Sequence, residues 1–331
     1  MKIALDAMGG DYAPENVVRG GILAAREFPE TEFLLVGDAG KVGEVLREVK
    51  TPLANISIIH ASEVIEMNEK PASALRKKKD SSIQVACRLV AEGRAEAVMS
   101  MGNTGASVAA SLMILGRLKG VDRPAIAQFF PTRDGACLVL DVGATSNVKA
   151  EHLYQFALMG EVYYRLVMNK ERPRVGLISI GEEDVKGNDV IREAHTLLDK
   201  AKINFVGNIE GRDILPGNVD VAVCDGFLGN VLLKFAESLP DVIFSILREQ
   251  VNRNLFTRLG GLLMKPALHH FKKRFDYAEY GGAPLLGVNG ISVVGHGKSS
   301  PKAILNALRV TLRSVEGGIN REIAAQLSIK A

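Results

Sequence analysis

The sequence predicts an α/β protein: a mostly parallel β-sheet with helices on both faces, giving three α/β/α layers. Short apolar runs alternate with longer amphipathic stretches along most of the 331 residues. That alternation is what right-handed crossovers between parallel strands require. Several handovers from apolar run to helical pattern are rich in glycine, asparagine and aspartate. Finally, 47% hydrophobic and 24% charged residues make an ordinary soluble globular composition, in a chain long enough to bury a large core. No internal repeat or low-complexity linker divides it, so one catalytic-size domain over 1–331, in one or two lobes, is expected.

The elements follow in order. Residues 3–5 predict the first strand, and 14–28 a helix with Pro14 near its first position, where the missing N–H is no loss. Runs at 33–36 and 56–59 predict two strands. Residues 81–92 have helical periodicity, 97–99 read as a strand and 104–117 as a helix. The rhythm breaks at 125–140, where strands 125–130 and 138–140 flank Pro131-Thr132-Arg133-Asp134-Gly135, the turn chemistry of a hairpin. Helix 151–167, strand 175–180, helix 189–201, strand 219–223 and helix 229–248 restore the alternation.

Composition excludes several classes. A net charge of +3 and a pI of about 8.6 are too mild for a general nucleic-acid surface. Three cysteines do not make a disulfide framework. Cys87 falls in a helical pattern and Cys137 and Cys224 in apolar strands, so all three are expected as buried structural thiols. The chain opens directly on a strand, and no apolar run reaches the roughly 18 residues of a spanning helix. A cytoplasmic location is expected.

The most informative stretch is Met99-Ser100-Met101-Gly102-Asn103-Thr104-Gly105-Ala106-Ser107. It joins a strand to a helix, where backbone N–H groups and the helix dipole favour an anion. Ser100, Gly102, Asn103, Thr104 and Gly105 are therefore candidate phosphate or carboxylate ligands; a well-capped turn is the alternative. Four further junctions share its character: 7–11, 141–147, 181–188 and 225–230. Ligands of open α/β sheets bind outside the carboxyl ends of strands, so these junctions are expected to build one cleft.

The missing motifs narrow the chemistry. There is no G-x-G-x-x-G, no G-x-S-x-G and no cysteine–histidine metal spacing. Gly297-Lys298-Ser299 resembles the end of a P-loop, but Ser292 stands where its first glycine belongs. No metal and no cofactor is expected. His195 and Asp199, four apart, read as a surface pair. An enzyme without a protein nucleophile can still work by holding an anionic nucleophile beside an activated electrophile. Lys186 and Asn230 are the candidate donors for that, against a solvated lysine and a helix cap. The cluster Arg76-Lys77-Lys78-Lys79 reads as a solvated loop before a helix, or as an attractor for an acidic partner.

Residues 250–277 form a basic amphipathic segment. From 253 to 275 there is no Asp or Glu, but there are Arg253, Arg258, Lys265, Lys272, Lys273 and Arg274. Leu255, Leu259, Leu262 and Leu263 recur at helical spacing, and Gly260-Gly261 and Pro266 predict two short helices or a helical hairpin. A basic, one-sided apolar helix suits a membrane surface, each basic residue contributing about 1 kcal/mol on an anionic bilayer. A core or dimer interface is the alternative.

Several segments are distinctive together: Asp6-Ala7-Met8-Gly9-Gly10-Asp11 with Ala13-Pro14; Gly102-Asn103-Thr104-Gly105-Ala106; Gly116-Arg117 with Arg123-Pro124-Ala125; Lys186-Gly187-Asn188; Asp225-Gly226-Phe227 with Gly229-Asn230-Val231; and Tyr280-Gly281-Gly282-Ala283. On these, the chain resembles over nearly its full length the bacterial phosphate acyltransferases of phospholipid synthesis. The resemblance implies transfer of a fatty acyl group from acyl carrier protein to inorganic phosphate, giving acyl phosphate for the membrane glycerol-phosphate acyltransferase. It also implies a fold similar to isocitrate dehydrogenase and phosphate acetyltransferase, a homodimer, and peripheral membrane association. Lys186 and Asn230 match its catalytic positions, and Asn188 joins the substrate-binding set. The family pattern usually has Asn at 145, Asp at 147 and Gly at 238, where this chain has Thr145, Asn147 and Ser238. An isocitrate-dehydrogenase-like oxidoreductase and a non-catalytic scaffold between carrier protein and membrane are the competing expectations.

Overall fold

The computed structural model describes residues 1–48, 53–275 and 281–328, leaving aside the side chains of 269, 270 and 272–275. Tyr280, residues 276–277 and the side chains of Lys272, Lys273, Arg274 and Phe275 therefore lie outside the described residues.

The apolar runs become strands β1 (Lys2–Asp6), β2 (Glu32–Gly37), β3 (Ile56–His60), β4 (Ala97–Ser100), β5 (Ala125–Thr132), β6 (Gly135–Leu140), β7 (Val175–Ile178), β8 (Phe205–Ile209), β9 (Val221–Val223), β10 (Ala283–Leu286) and β11 (Ile291–Val294). The helices are α1 (Glu15–Glu27), α2 (Ala39–Arg47), α3 (Pro71–Lys77), α4 (Ser82–Ala91), α5 (Thr104–Ile114), α6 (Ala150–Met168), α7 (Asp189–Asp199), α8 (Gly226–Val251), α9 (Leu255–Phe275), α10 (Pro301–Glu316) and α11 (Ile319–Ser328).

These strands form one sheet in the order β3-β2-β1-β4-β11-β10-β5-β6-β9-β7-β8. The wing from β3 to β11 is parallel, as is the wing from β6 to β8. Three antiparallel pairings at the centre, β11–β10, β10–β5 and β5–β6, make the two wings run oppositely. The hairpin expected at 125–140 is β5–β6, with Thr132 opposite Gly135.

Both faces of the sheet are covered, so its strands read as nearly continuous apolar runs. Within β1, Ile3 and Leu5 face a core shared with α1 and α10, while Ala4 faces the opposite core with α4 and α5. In the other wing, Leu138 and Leu140 pack with α6, while Cys137 and Val139 join the face covered by the start of α8. The three layers follow from this period of two.

Three strands and four helices go beyond the sequence reading. β8 contains Gly207 at φ 90° and β10 and β11 are four residues each, too short for periodicity to register. The strand expected at 175–180 stops at Ile178, and Ile180 is exposed. The basic segment is a further correction: α9 is one 21-residue helix containing Pro266, not two short ones, and the hairpin is formed by α8 with α9. Tertiary packing carries the helix across its weak positions. A Cβ at Gly261 would overlap Val251, so this glycine lets the two helices approach, and Phe271 packs edge-on against Phe244 with ring centroids 5.8 Å apart.

Candidate active site

Four of the five polar junctions meet around one cavity of about 420 Å³. Asp11 comes from the loop after β1, Gly102, Thr104 and Gly105 from the β4–α5 junction, and Val142 and Gly143 from the loop after β6. The first turns of α8 supply Asn230, Leu233, Lys234 and Glu237, and 295–297 after β11 close the ring. Asp11 N–H donates to the Gly297 carbonyl at 2.8 Å, tying two of these loops together.

The β4–α5 junction is built by its side chains and leaves its helix end open. Asn103 is the N-cap of α5: its Oδ1 accepts the Ala106 N–H at 3.1 Å. Its Nδ2 donates to the carbonyls of Met67 and Glu69, pinning the neighbouring loop. Ser100 is buried, its hydroxyl donating to Asp6 Oδ2 at 2.6 Å and accepting the Gly102 N–H at 3.0 Å. Burial raises the Asp6 carboxyl above the ordinary range, although Ser100 and Ser82 hydrogen bonds pull it down. Ser100 and the side chain of Asn103, expected as phosphate donors, are thus committed to the framework. Thr104 and Gly105 are the exposed members, in the first turn whose N–H groups the helix ladder leaves over. Pro71, at the start of α3, packs on Gly105, with 2.8 Å between its Cγ and an ideal Cβ position.

Asp141 organises the opposite wall. Its buried carboxylate accepts N–H groups from Ile126, Gly143, Ala144 and Thr145 at 2.6–3.0 Å. Desolvation nevertheless raises its pKa. Asp225 caps α8 by accepting from Phe227 and Leu228, and a Cβ at Gly229 would strike the Asp141 carbonyl. That glycine brings α8 against the loop and Asn230 beside Gly143, 3.9 Å from an ideal Cβ there. The Thr145 hydroxyl donates to the Pro124 carbonyl at 3.2 Å, so the loop holds its shape with Thr at this position.

The fifth junction stands apart. Lys186 is exposed in a turn, its N–H donating to the Glu183 carbonyl and its stem lying along Gly181, and it does not line this cavity. Asn188 caps α7 and borders a separate groove of about 570 Å³ with Ser146, Asn147, Asp225 and Phe227. The loop after β6 serves both: 142–143 line the cavity and 146–148 the groove. His195 pairs with Asp184 at 3.2 Å and packs on Phe205, not with Asp199 as the spacing suggested, because α7 turns that face to the 181–188 junction.

The remaining candidates sort by burial. Cys87, Cys137 and Cys224 are buried, and desolvation raises all three thiols, Cys87 to about 12, unlike a reactive thiolate. In the basic cluster, Lys78 is spent on Glu69 at 2.6 Å and the Val64 carbonyl, while Arg76, Lys77 and Lys79 are exposed. Leu255, Leu259, Leu262 and Leu263 on α9 are 60–80% exposed. No described helix is long and apolar enough to cross a membrane, and among the described residues no three His, Cys, Asp or Glu converge on a metal position. Gln128, Lys234, Glu237 and His296 line the cavity without having been singled out; His296 between two glycines after an apolar run was the available signal.

Comparison with known proteins places the chain. The model of a family described as fatty acid synthesis protein matches residues 1–322. The phosphate acyltransferase of Pelotomaculum thermopropionicum is 52% identical over 328 residues, covering 99% of this chain and 95% of that one. The phosphate acyltransferase of Desulfitobacterium hafniense is 50% identical over 328 residues, covering 99% and 98%. Among solved structures, a phosphotransacetylase from Streptococcus pyogenes superposes with a TM-score of 0.64 at 18% identity, covering 96% and 94% of the two chains. The EutD phosphotransacetylase from Staphylococcus aureus gives 0.60 at 17%, covering 95% and 94%. At such identities the likeness is one of fold.

Proposed function

The chain belongs to the fatty acid synthesis family of phosphate acyltransferases, and from that premise we propose that it moves a fatty acyl group from acyl carrier protein to inorganic phosphate. The product is acyl phosphate for phospholipid synthesis. A phosphate oxygen attacks the thioester carbonyl carbon; the new C–O bond forms as the C–S bond breaks, and the carrier thiolate leaves and takes up a proton. Phosphate brings its own nucleophilic oxygen, so the inert buried cysteines are no obstacle.

The observation that carries this reading is that the open first turn of α5, at Thr104 and Gly105, and the amide of Asn230 line one cavity. Phosphate rests on the former, and Asn230 donates to the oxyanion that develops on the thioester carbonyl. Lys186, exposed and not part of the lining of that cavity, is assigned to phosphate or the oxyanion on the family resemblance; its long stem and compact charge suit either. Phosphate-dependent release of free carrier protein with formation of acyl phosphate is the test, and its absence with purified protein and both substrates overturns the proposal.

The carrier protein is acidic by the same reading and docks on exposed Arg76, Lys77 and Lys79, at and just past the end of α3, whose first residue Pro71 packs on Gly105. The α8–α9 hairpin lies on an anionic membrane, apolar through Leu255, Phe256, Leu259, Leu262 and Leu263, with Arg253, Arg258 and Lys265 exposed on α9 and its approach. The protein works as a cytoplasmic, peripherally bound homodimer beside the glycerol-phosphate acyltransferase that consumes its product.

A further inference from the structure

A second cavity, of about 350 Å³ and mostly apolar lining, adjoins the first between β5, α8 and α9. The two share Gln128, Leu233 and Glu237. Two rails run through both. Along β5, Ile126, Gln128 and Phe130 point to one face at the strand period of two. Along α8, Asn230, Leu233, Glu237 and Pro240 follow the helical repeat on one side. From Asn230 to Pro240 is about 15 Å of helix. Over that length the lining changes from backbone N–H groups and an amide to Phe130, Leu215, Ala236, Leu239, Ile243 and Phe271.

The geometry points to this apolar cavity as the subsite for the hydrocarbon chain of the acyl donor, with the thioester held at Asn230 and the chain running along α8 toward the hairpin. The inference rests on the proposed acyl transfer and adds where the chain lies. A polar head at one end and a mostly apolar slot at the other, with Gln128 and Glu237 where the two meet and Asp241 on the slot's wall, match a fatty acyl thioester, and the slot's volume is within the usual range of small-molecule sites. Its far wall, Ile243 and Phe271, belongs to the two hairpin helices whose outer face is apolar, so the acyl tail ends beside the surface assigned to lipid.

Filling the slot tests this. Ala236→Phe narrows it from α8, and Leu215→Phe narrows it from the opposite loop at a half-exposed position that tolerates a larger ring. Acyl phosphate formation is measured with palmitoyl and with butyryl carrier protein. The expected result is a kcat/KM on the palmitoyl donor lowered at least ~10-fold relative to the butyryl donor, whose rate is retained. Equal loss on both donors in both variants, or no change in either, overturns the assignment. Failure of the unaltered protein to make acyl phosphate from either donor overturns the proposed function instead, and this subsite with it.

Discussion

The Ser100 hydroxyl donates to the Asp6 carboxyl at 2.6 Å, joining the carboxyl ends of neighbouring strands β4 and β1 beneath the β4–α5 junction. The same oxygen accepts the Gly102 N–H, which fixes the turn into α5. Ser100→Ala leaves a buried carboxyl short of its closest donor and should cost about 1–3 kcal/mol of stability. A double-mutant cycle with Asp6→Asn, read by denaturant unfolding, should give a coupling above about 0.5 kcal/mol. Additive effects would show that the two do not act as a unit.

Thr104 occupies the first helical position of α5, and the preceding Asn103 has φ −57° and ψ 112°, a conformation compatible with a following proline. Thr104→Pro therefore deletes one N–H at little cost to the helix. It should raise the KM for phosphate about 10-fold, by loss of a hydrogen bond to an anion, while Thr104→Ala, which keeps the N–H, changes it much less. Equal effects of the two would move phosphate away from this helix end.

Lys186→Ala and Asn230→Ala should each lower kcat by about 100-fold, the usual scale for one oxyanion donor. Lys186 is exposed in its turn, so its loss should leave the melting temperature unchanged. Near-full turnover by Lys186→Ala, with carrier-protein donor and saturating phosphate, would remove the lysine from the mechanism.

Leu259→Glu with Leu263→Glu places two carboxylates on the exposed face of α9, where each leucine is at least 60% exposed. Co-sedimentation with anionic phospholipid vesicles should be abolished, while turnover of soluble substrates persists. Unchanged sedimentation would turn that face toward another partner.

Asp220 supports the second wing from the loop before β9. Its buried carboxylate accepts from Lys170 Nζ at 2.7 Å and from the Arg174 backbone N–H and guanidinium at 2.7–3.1 Å. Burial pushes its pKa up, but these donors together outweigh that and hold it below the usual carboxylate value. A depressed folded pKa contributes stability that is present above the unfolded value and is lost as pH falls through the folded one. Asp220→Asn should cost about 2 kcal/mol at neutral pH, and the gap to the parent protein should close in acid. A pH-independent difference in chemical denaturation would contradict this.

Much of this protein is legible along the chain. Short apolar runs at 33–36 and 138–140 determine strands because both faces of the sheet are buried, and the Pro131–Gly135 turn determines the β5–β6 hairpin. The cleft is legible too, since strand-to-helix junctions in such sheets carry N–H groups outward wherever they occur. The short strands β10 and β11 escape it, as four residues hold too little periodicity, yet they join the two wings between β4 and β5 and place 295–297 in the site. The roles of like residues within one junction also escape it: Ser100 and Thr104 look equivalent in sequence, but burial commits one to Asp6 and leaves the other facing the cavity. So does the course of α9, where helix propensity argues for a break at Pro266 and contacts with α8 carry the helix through. Local pattern determines the elements and where polar ends gather; which donor stays free is decided by distant neighbours, because hydrogen bonds and close packing join residues that the chain itself keeps far apart.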